Sequence, residues 1–164
     1  MSAQTRYGFS TPKGGAGGIV DLAPYAIDTL LNEEENGVMK HGMGVVQGSA
    51  PGTYAKKPAD GATAAQFEGI VVNNRTTELD MDGNLAIKKG AALGIMRYGR
   101  IYGRLAKDVT PAYGEAVYLI TSGDEAGLFT NAADGALAIK ARFLGTVDAT
   151  CAIAEIELFN QAQA

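Results

Sequence analysis

The alternation of apolar and polar side chains is clearest over residues 93–105, Leu-Gly-Ile-Met-Arg-Tyr-Gly-Arg-Ile-Tyr-Gly-Arg-Leu. Read with a period of two, Leu93, Ile95, Ile101 and Leu105 fall on one side, with Gly99 and Gly103 between them. Met96, Tyr98, Arg100, Tyr102 and Arg104 fall on the other. Successive side chains of a strand point to opposite sheet faces, so this pattern predicts a strand with one buried face. Arg97 interrupts the apolar side and calls for a partner or a local bulge, which Gly99 could supply. The opposite face is a ladder of arginine and tyrosine, a surface suited to binding.

Shorter strand patterns follow one another after residue 37. Residues 38–47 carry the first, broken by Gly42 and Gly44, and 67–72 form an apolar run suited to burial on both faces. Segments 76–81 and 84–88 flank Asp82-Gly83, a two-residue hairpin signal. Further strands are expected at 115–121, 128–131, 136–140, 142–147 and 152–159. Between them stand turns at Pro111 to Gly114, Ser122 to Glu125 and Asp134-Gly135. Residues 49–66 read as a protruding loop rich in Ala, Pro, Gly and Lys, with 62–66 a candidate for helix. Short strands separated by turns indicate a mostly β protein, a single antiparallel β-barrel or β-sandwich domain over 37–164.

Residues 1–36 differ and read as an extended N-terminal arm. Tyr7 and Phe9 lie in an extended piece ending at Pro12, and residues 13–18 are glycine-rich. Residues 21–32 could form one or two turns of helix before the charged stop Glu33-Glu34-Glu35-Asn36-Gly37. Tyr7, Phe9, Leu22, Tyr25, Leu30 and Leu31 are the apolar anchors by which the arm would order against a partner. Deleting residues 1–32 is expected to leave the barrel folded.

Composition narrows the function. The chain has 164 residues with 46% hydrophobic and 20% charged, which suits a packed domain rather than disorder. A net charge of -4 and a pI near 5.0 argue against non-specific binding to nucleic acid or anionic lipid. No apolar run approaches the roughly 20 residues of a membrane-spanning helix. With no hydrophobic signal segment at Met1 to Arg6 and a single cysteine, Cys151, the chain is expected to be made and kept in a reducing cytoplasm, or assembled there.

Candidate catalytic features fail individually. Lys13 precedes its glycines, whereas a phosphate loop places lysine after them and follows a strand. Asp80 to Asn84 puts glycine fourth, and Ala91 stands where a calcium loop needs glutamate. His41 is the only histidine, so a histidine-rich metal site is impossible. Cys151 has no cationic neighbour in sequence to activate it. Glu155 and Glu157 share a strand face and are expected to meet solvent or Arg97, Arg100 or Arg104 rather than a sugar. No enzyme activity and no cofactor are therefore expected. A carbohydrate-binding domain using the 49–66 loop, and a single-stranded nucleic-acid binder using the Arg/Tyr face, remain as alternatives.

Taken in order, several stretches together resemble the structural cement, or head decoration, proteins of tailed bacteriophages. They are Arg6-Tyr7-Gly8-Phe9-Ser10-Thr11-Pro12-Lys13-Gly14, Asp21-Leu22-Ala23-Pro24-Tyr25, the run from Gly37 to Gly48, Phe67 to Val72, Ile95 to Arg104, Glu115 to Ile120 and Ile156 to Gln161. The resemblance implies a non-enzymatic virion protein on the outer capsid surface, assembled in the host bacterial cytoplasm. It would bridge neighbouring major capsid proteins, stabilise the head, and form a homo-oligomer, dimer or trimer, with no membrane or nucleic-acid partner. The contact residues it leaves as expectations are the arm anchors with Tyr98, Arg100, Tyr102 and Arg104.

Overall fold

The computed structural model describes residues 14–73, 86–148 and 152–160. Among the described residues there are nine strands: β1 Ala26–Asn32, β2 Gly44–Gln47, β3 Tyr54–Lys56, β4 Phe67–Val71, β5 Ala92–Arg104, β6 Ala116–Ile120, β7 Phe129–Thr130, β8 Ala136–Asp148 and β9 Ile153–Leu158. A 3-10 turn, Ala64–Gln66, falls within the stretch expected to be helical. The expected mostly β, predominantly antiparallel fold is what forms.

The strands run in the order β1-β3-β2-β4-β5-β9-β8-β6-β7, and β1 also pairs with β5. That extra pairing closes β1, β3, β2, β4 and β5 into a five-stranded barrel. Its interior holds Leu30, Val45, Ala55, Val71, Leu93 and Ile95, joined by Met39 and Ile87 from the connections. The remaining strands extend from the far half of β5. They curl until Leu105 bridges Phe129, which brings β7 back against the end of β5. A second core lies there, built from Ile101, Leu105, Val117, Leu119, Phe129, Phe143, Ile156 and Leu158, with Phe67, Ile70 and Met96 from the outside of the barrel.

The strand expected from the 93–105 pattern exists, but its apolar side is not one face. Leu93 and Ile95 point into the barrel, whereas Ile101 and Leu105 point into the second core together with Met96. Met96 and Ile101 are an odd number of positions apart, so an extra residue must shift the phase between them. The register locates it: Ile27 pairs with Met96 and Ala26 with Tyr98, leaving Arg97 without an opposite number. A similar bulge occurs in β4, where Val45 pairs with Gly69 and Val46 with Phe67, leaving Glu68 over. The two surplus residues meet, Arg97 Nη2 donating to the buried carboxylate of Glu68.

Other differences follow from tertiary pairing. Residues 21–32 contain no helix; the sheet claims them as β1 because β5 offers an unpaired edge. That strand lies inside the stretch read as the arm. The loop 49–66 contains β3, and Lys140 and Arg142 lie on one continuous strand, β8, rather than two. Bulges near Gly145 let β8 bend instead of breaking. The Asp82-Gly83 hairpin, the Asp80 to Asn84 loop, Cys151, Tyr7 and Phe9 lie outside the described residues.

Candidate protein-interaction face

Beyond the bulge, β5 has β9 on one edge and the glycine-rich stretch on the other. Gly17 donates its N–H to the carbonyl of Tyr102 (2.7 Å), Tyr102 donates to Gly18 (3.0 Å), and Val20 donates to Arg100 (3.0 Å). This strap lies close against β5 because glycines stand where it makes its tightest contacts. Gly17 has φ +76, and a Cβ there would stand 2.8 Å from both Val71 O and Asn73 N. Gly42, with φ +79, faces it with equally little room. Tyr102 is consequently buried, its ring covered by Gly14, where a Cβ would come within 2.5 Å of the ring.

The outward face of β5 therefore shrinks to Tyr98, Arg100 and Arg104. Met96 is in the core, and Tyr102 lies under the strap. Arg104 Nε donates to the His41 carbonyl (2.8 Å). Burial, reinforced by the Arg104 charge, lowers the His41 pKa below its ordinary value. Arg100 sits between two carboxylates, Nη1 2.8 Å from Asp21 Oδ2 and Nε 3.1 Å from Glu157 Oε1. Glu157 also receives Arg142 Nε at 2.5 Å from the adjoining strand β8. Burial alone would raise the Glu157 pKa; the hydrogen bonds from Arg142 and Arg100 outweigh it and hold the group below the usual carboxylate range. The resulting row, Asp21, Arg100, Glu157, Arg142, links the strap to β5, β9 and β8.

Beside this row lies an aromatic cluster. Leu158 pairs with Gly99, which sets Phe159 one step further along, level with Tyr98. The Arg142 guanidinium stands 5.7 Å from the Phe159 ring centre. Tyr25 comes in from the other edge, its Cβ so close to Gly99 that a side chain there would strike it at 2.7 Å. Tyr25, Tyr98 and Phe159 are each more than two-fifths exposed, and Leu22 nearby in sequence is 97% exposed.

The expected contact residues thus divide. Tyr25, Tyr98 and Arg100 are available on one face, and Leu22 is exposed. Leu30 is part of the barrel core, Leu31 is half-buried and pairs with β3, and Tyr102 is covered. Glu157, expected to meet solvent or one of Arg97, Arg100 and Arg104, meets Arg100. Asp21, brought in by the strap, and Arg142 and Phe159, brought in by the register of β8 and β9, were not foreseen. No cluster of three or more His, Cys, Asp or Glu side chains able to hold a metal ion occurs among the described residues.

The comparisons with known proteins agree with this architecture. No curated protein matches the chain. A solved chain from the capsid of Myoviridae phage XM1 superposes with a TM-score of 0.72 at 18% identity, covering 96% of this chain and 98% of that one, so the two share a fold. Residues 3–159 match a family described as structural cement protein (E217 gp24/Pam3 gp6). The chain belongs to the structural cement protein family.

Proposed function

We propose that this cement-family protein is a non-enzymatic virion component that binds the outer surface of a phage capsid and bridges neighbouring major capsid subunits. The observation that carries the reading is the family match over residues 3–159, nearly the whole chain. The physical features support it. The exposed aromatic residues Tyr25, Tyr98 and Phe159 stand beside Arg100 and Arg142, the composition that anchors protein–protein contacts. The net charge of -4 disfavours the phosphate backbone as partner.

On this reading Tyr25, Tyr98 and Arg100 are contact residues, with Arg100 held in place by Asp21 and Glu157. Tyr7 and Phe9, which lie outside the described residues, are further contacts on this reading. The test is decoration of heads made without the protein. Purified chain should add regular surface density by electron microscopy and raise the temperature at which heads release DNA. Tyr98→Ala with Tyr25→Ala should weaken binding by about tenfold or more while leaving the melting temperature near that of wild type. Failure of the wild-type chain to bind such heads would overturn the reading.

A further inference from the structure

The barrel has a short seam. Only Leu31 and Asn32 of β1 pair with β3, whereas β1 pairs with β5 back to Ala26. Residues Ala26, Ile27, Asp28 and Thr29 thus have β5 on one side and no pairing strand among the described residues on the other. All four are exposed. Their backbone directions follow from the hydrogen bonds next to them. Asn32 donates its N–H to Ala91 beside β5 (2.9 Å), while Leu31 donates to Thr53 beside β3 (2.8 Å). Alternation then turns the N–H and C=O of Leu30 and Asp28 toward β5 and those of Ile27 and Thr29 outward. An edge with outward-directed backbone groups is a template for another strand.

The side chains along this edge specify what fits. Ile27 is apolar and exposed on the outer side. Asp28 lies opposite Ile95, on the side of the barrel mouth. Its Oδ2 is 2.6 Å from Arg97 Nε, a contact of charges without hydrogen-bond alignment. The same guanidinium already serves Glu68. Two carboxylates around one guanidinium leave one excess negative charge, and Arg97 is the ion-pair partner of both.

We propose that the outer edge of Ala26 to Thr29 binds an extended segment of a partner protein, carrying Lys or Arg beside Asp28 and apolar residues at the alternate positions. A second copy of β1 fits worse. Pairing about a two-fold axis would bring two such negative sites together. That the segment comes from the shell protein rests on the function proposed above; the chemistry of the edge does not.

The test uses the full-length chain, isotope-labelled, with the capped peptide Thr-Val-Lys-Val-Thr as probe. Amide shifts should concentrate at Ile27 and Thr29. A peptide with Glu in place of Lys should bind about two- to fivefold more weakly. Asp28→Asn should erase that preference without altering the fold. Thr29→Pro, which removes an N–H that β5 does not use, should abolish the shifts and leave the remaining β1 amides in place. Shifts elsewhere, equal binding of the two peptides, or a dimer that Thr29→Pro dissolves would each overturn the proposal. If peptide binding behaves as expected but Thr29→Pro still decorates heads at full occupancy, the edge stands and the shell as its source is overturned.

Discussion

At the residue scale the informative positions are the two that break the pattern. Arg97 and Glu68 are both surplus to their strand registers, and each is the other's partner. Glu68 is buried and Arg97 about two-fifths exposed, so the pair is partly screened. Removing the cation strands a buried carboxylate, whereas making the carboxylate neutral leaves an arginine that can reach water. Arg97→Met should therefore destabilise by about 2–3 kcal/mol, less than a fully buried pair because Arg97 is partly exposed, and Glu68→Gln by about 1 kcal/mol. In urea denaturation the double variant should cost less than the sum, because the second change removes a charge already left unpaired. The sequence made Arg97's need for a partner or bulge plain. It could not name Glu68, because that residue looks like an ordinary polar position until the β4 register is known.

At the scale of elements, the strap and the shared strand matter most. The strap's hold on β5 depends on Gly17 and Gly42 passing each other at backbone distance with positive φ. Gly17→Ala places a Cβ against Val71 O and Asn73 N, both backbone atoms that cannot swing away. The strap should detach locally. By hydrogen exchange the amide of Tyr102, which donates to Gly18, should lose at least about tenfold of its protection, while Ile101 and Ile156 in the core keep theirs. Equal protection in variant and wild type would show the strap to be more pliable than its contacts imply. Period-two patterning made β4, β6 and β9 legible because each alternates or is buried throughout. β1 was missed since a four-residue exposed stretch such as Ala26 to Thr29 carries no periodicity, and only β5's open edge makes it a strand.

For the whole molecule, acid should act in two stages. His41 has its pKa lowered in the folded state from 6.5, first by burial and then by Arg104. The unfolded chain therefore takes up a proton there first, and stability falls as pH drops below about 6.5. Glu157, Glu115 and Glu33 have folded pKa values below 4.5, so the stability they contribute is present above that value and lost as pH falls through their lower ones. Melting temperatures between pH 8 and pH 3 should be flat above about 7, decline gently toward 5, then fall more steeply below about 4.5. His41→Gln should remove the first decline and spare the second. A curve unchanged by that substitution would mean His41 is not the group responsible. The boundary of the fold is also a property of the whole. Because β1 closes the barrel, taking away residues 1–32 would open it, and a cut that spares the barrel must fall ahead of β1.

One strand, β5, belongs to both rolled sheets: its first half is a stave of the barrel, its second half the base of the other sheet. Tension tending to draw the two bodies apart runs along this segment as covalent backbone, and side-chain packing has only to preserve the angle between them. Such a part stretches little under load and yields by bending, as a tie-rod does. The bulge at Arg97 lies midway along it.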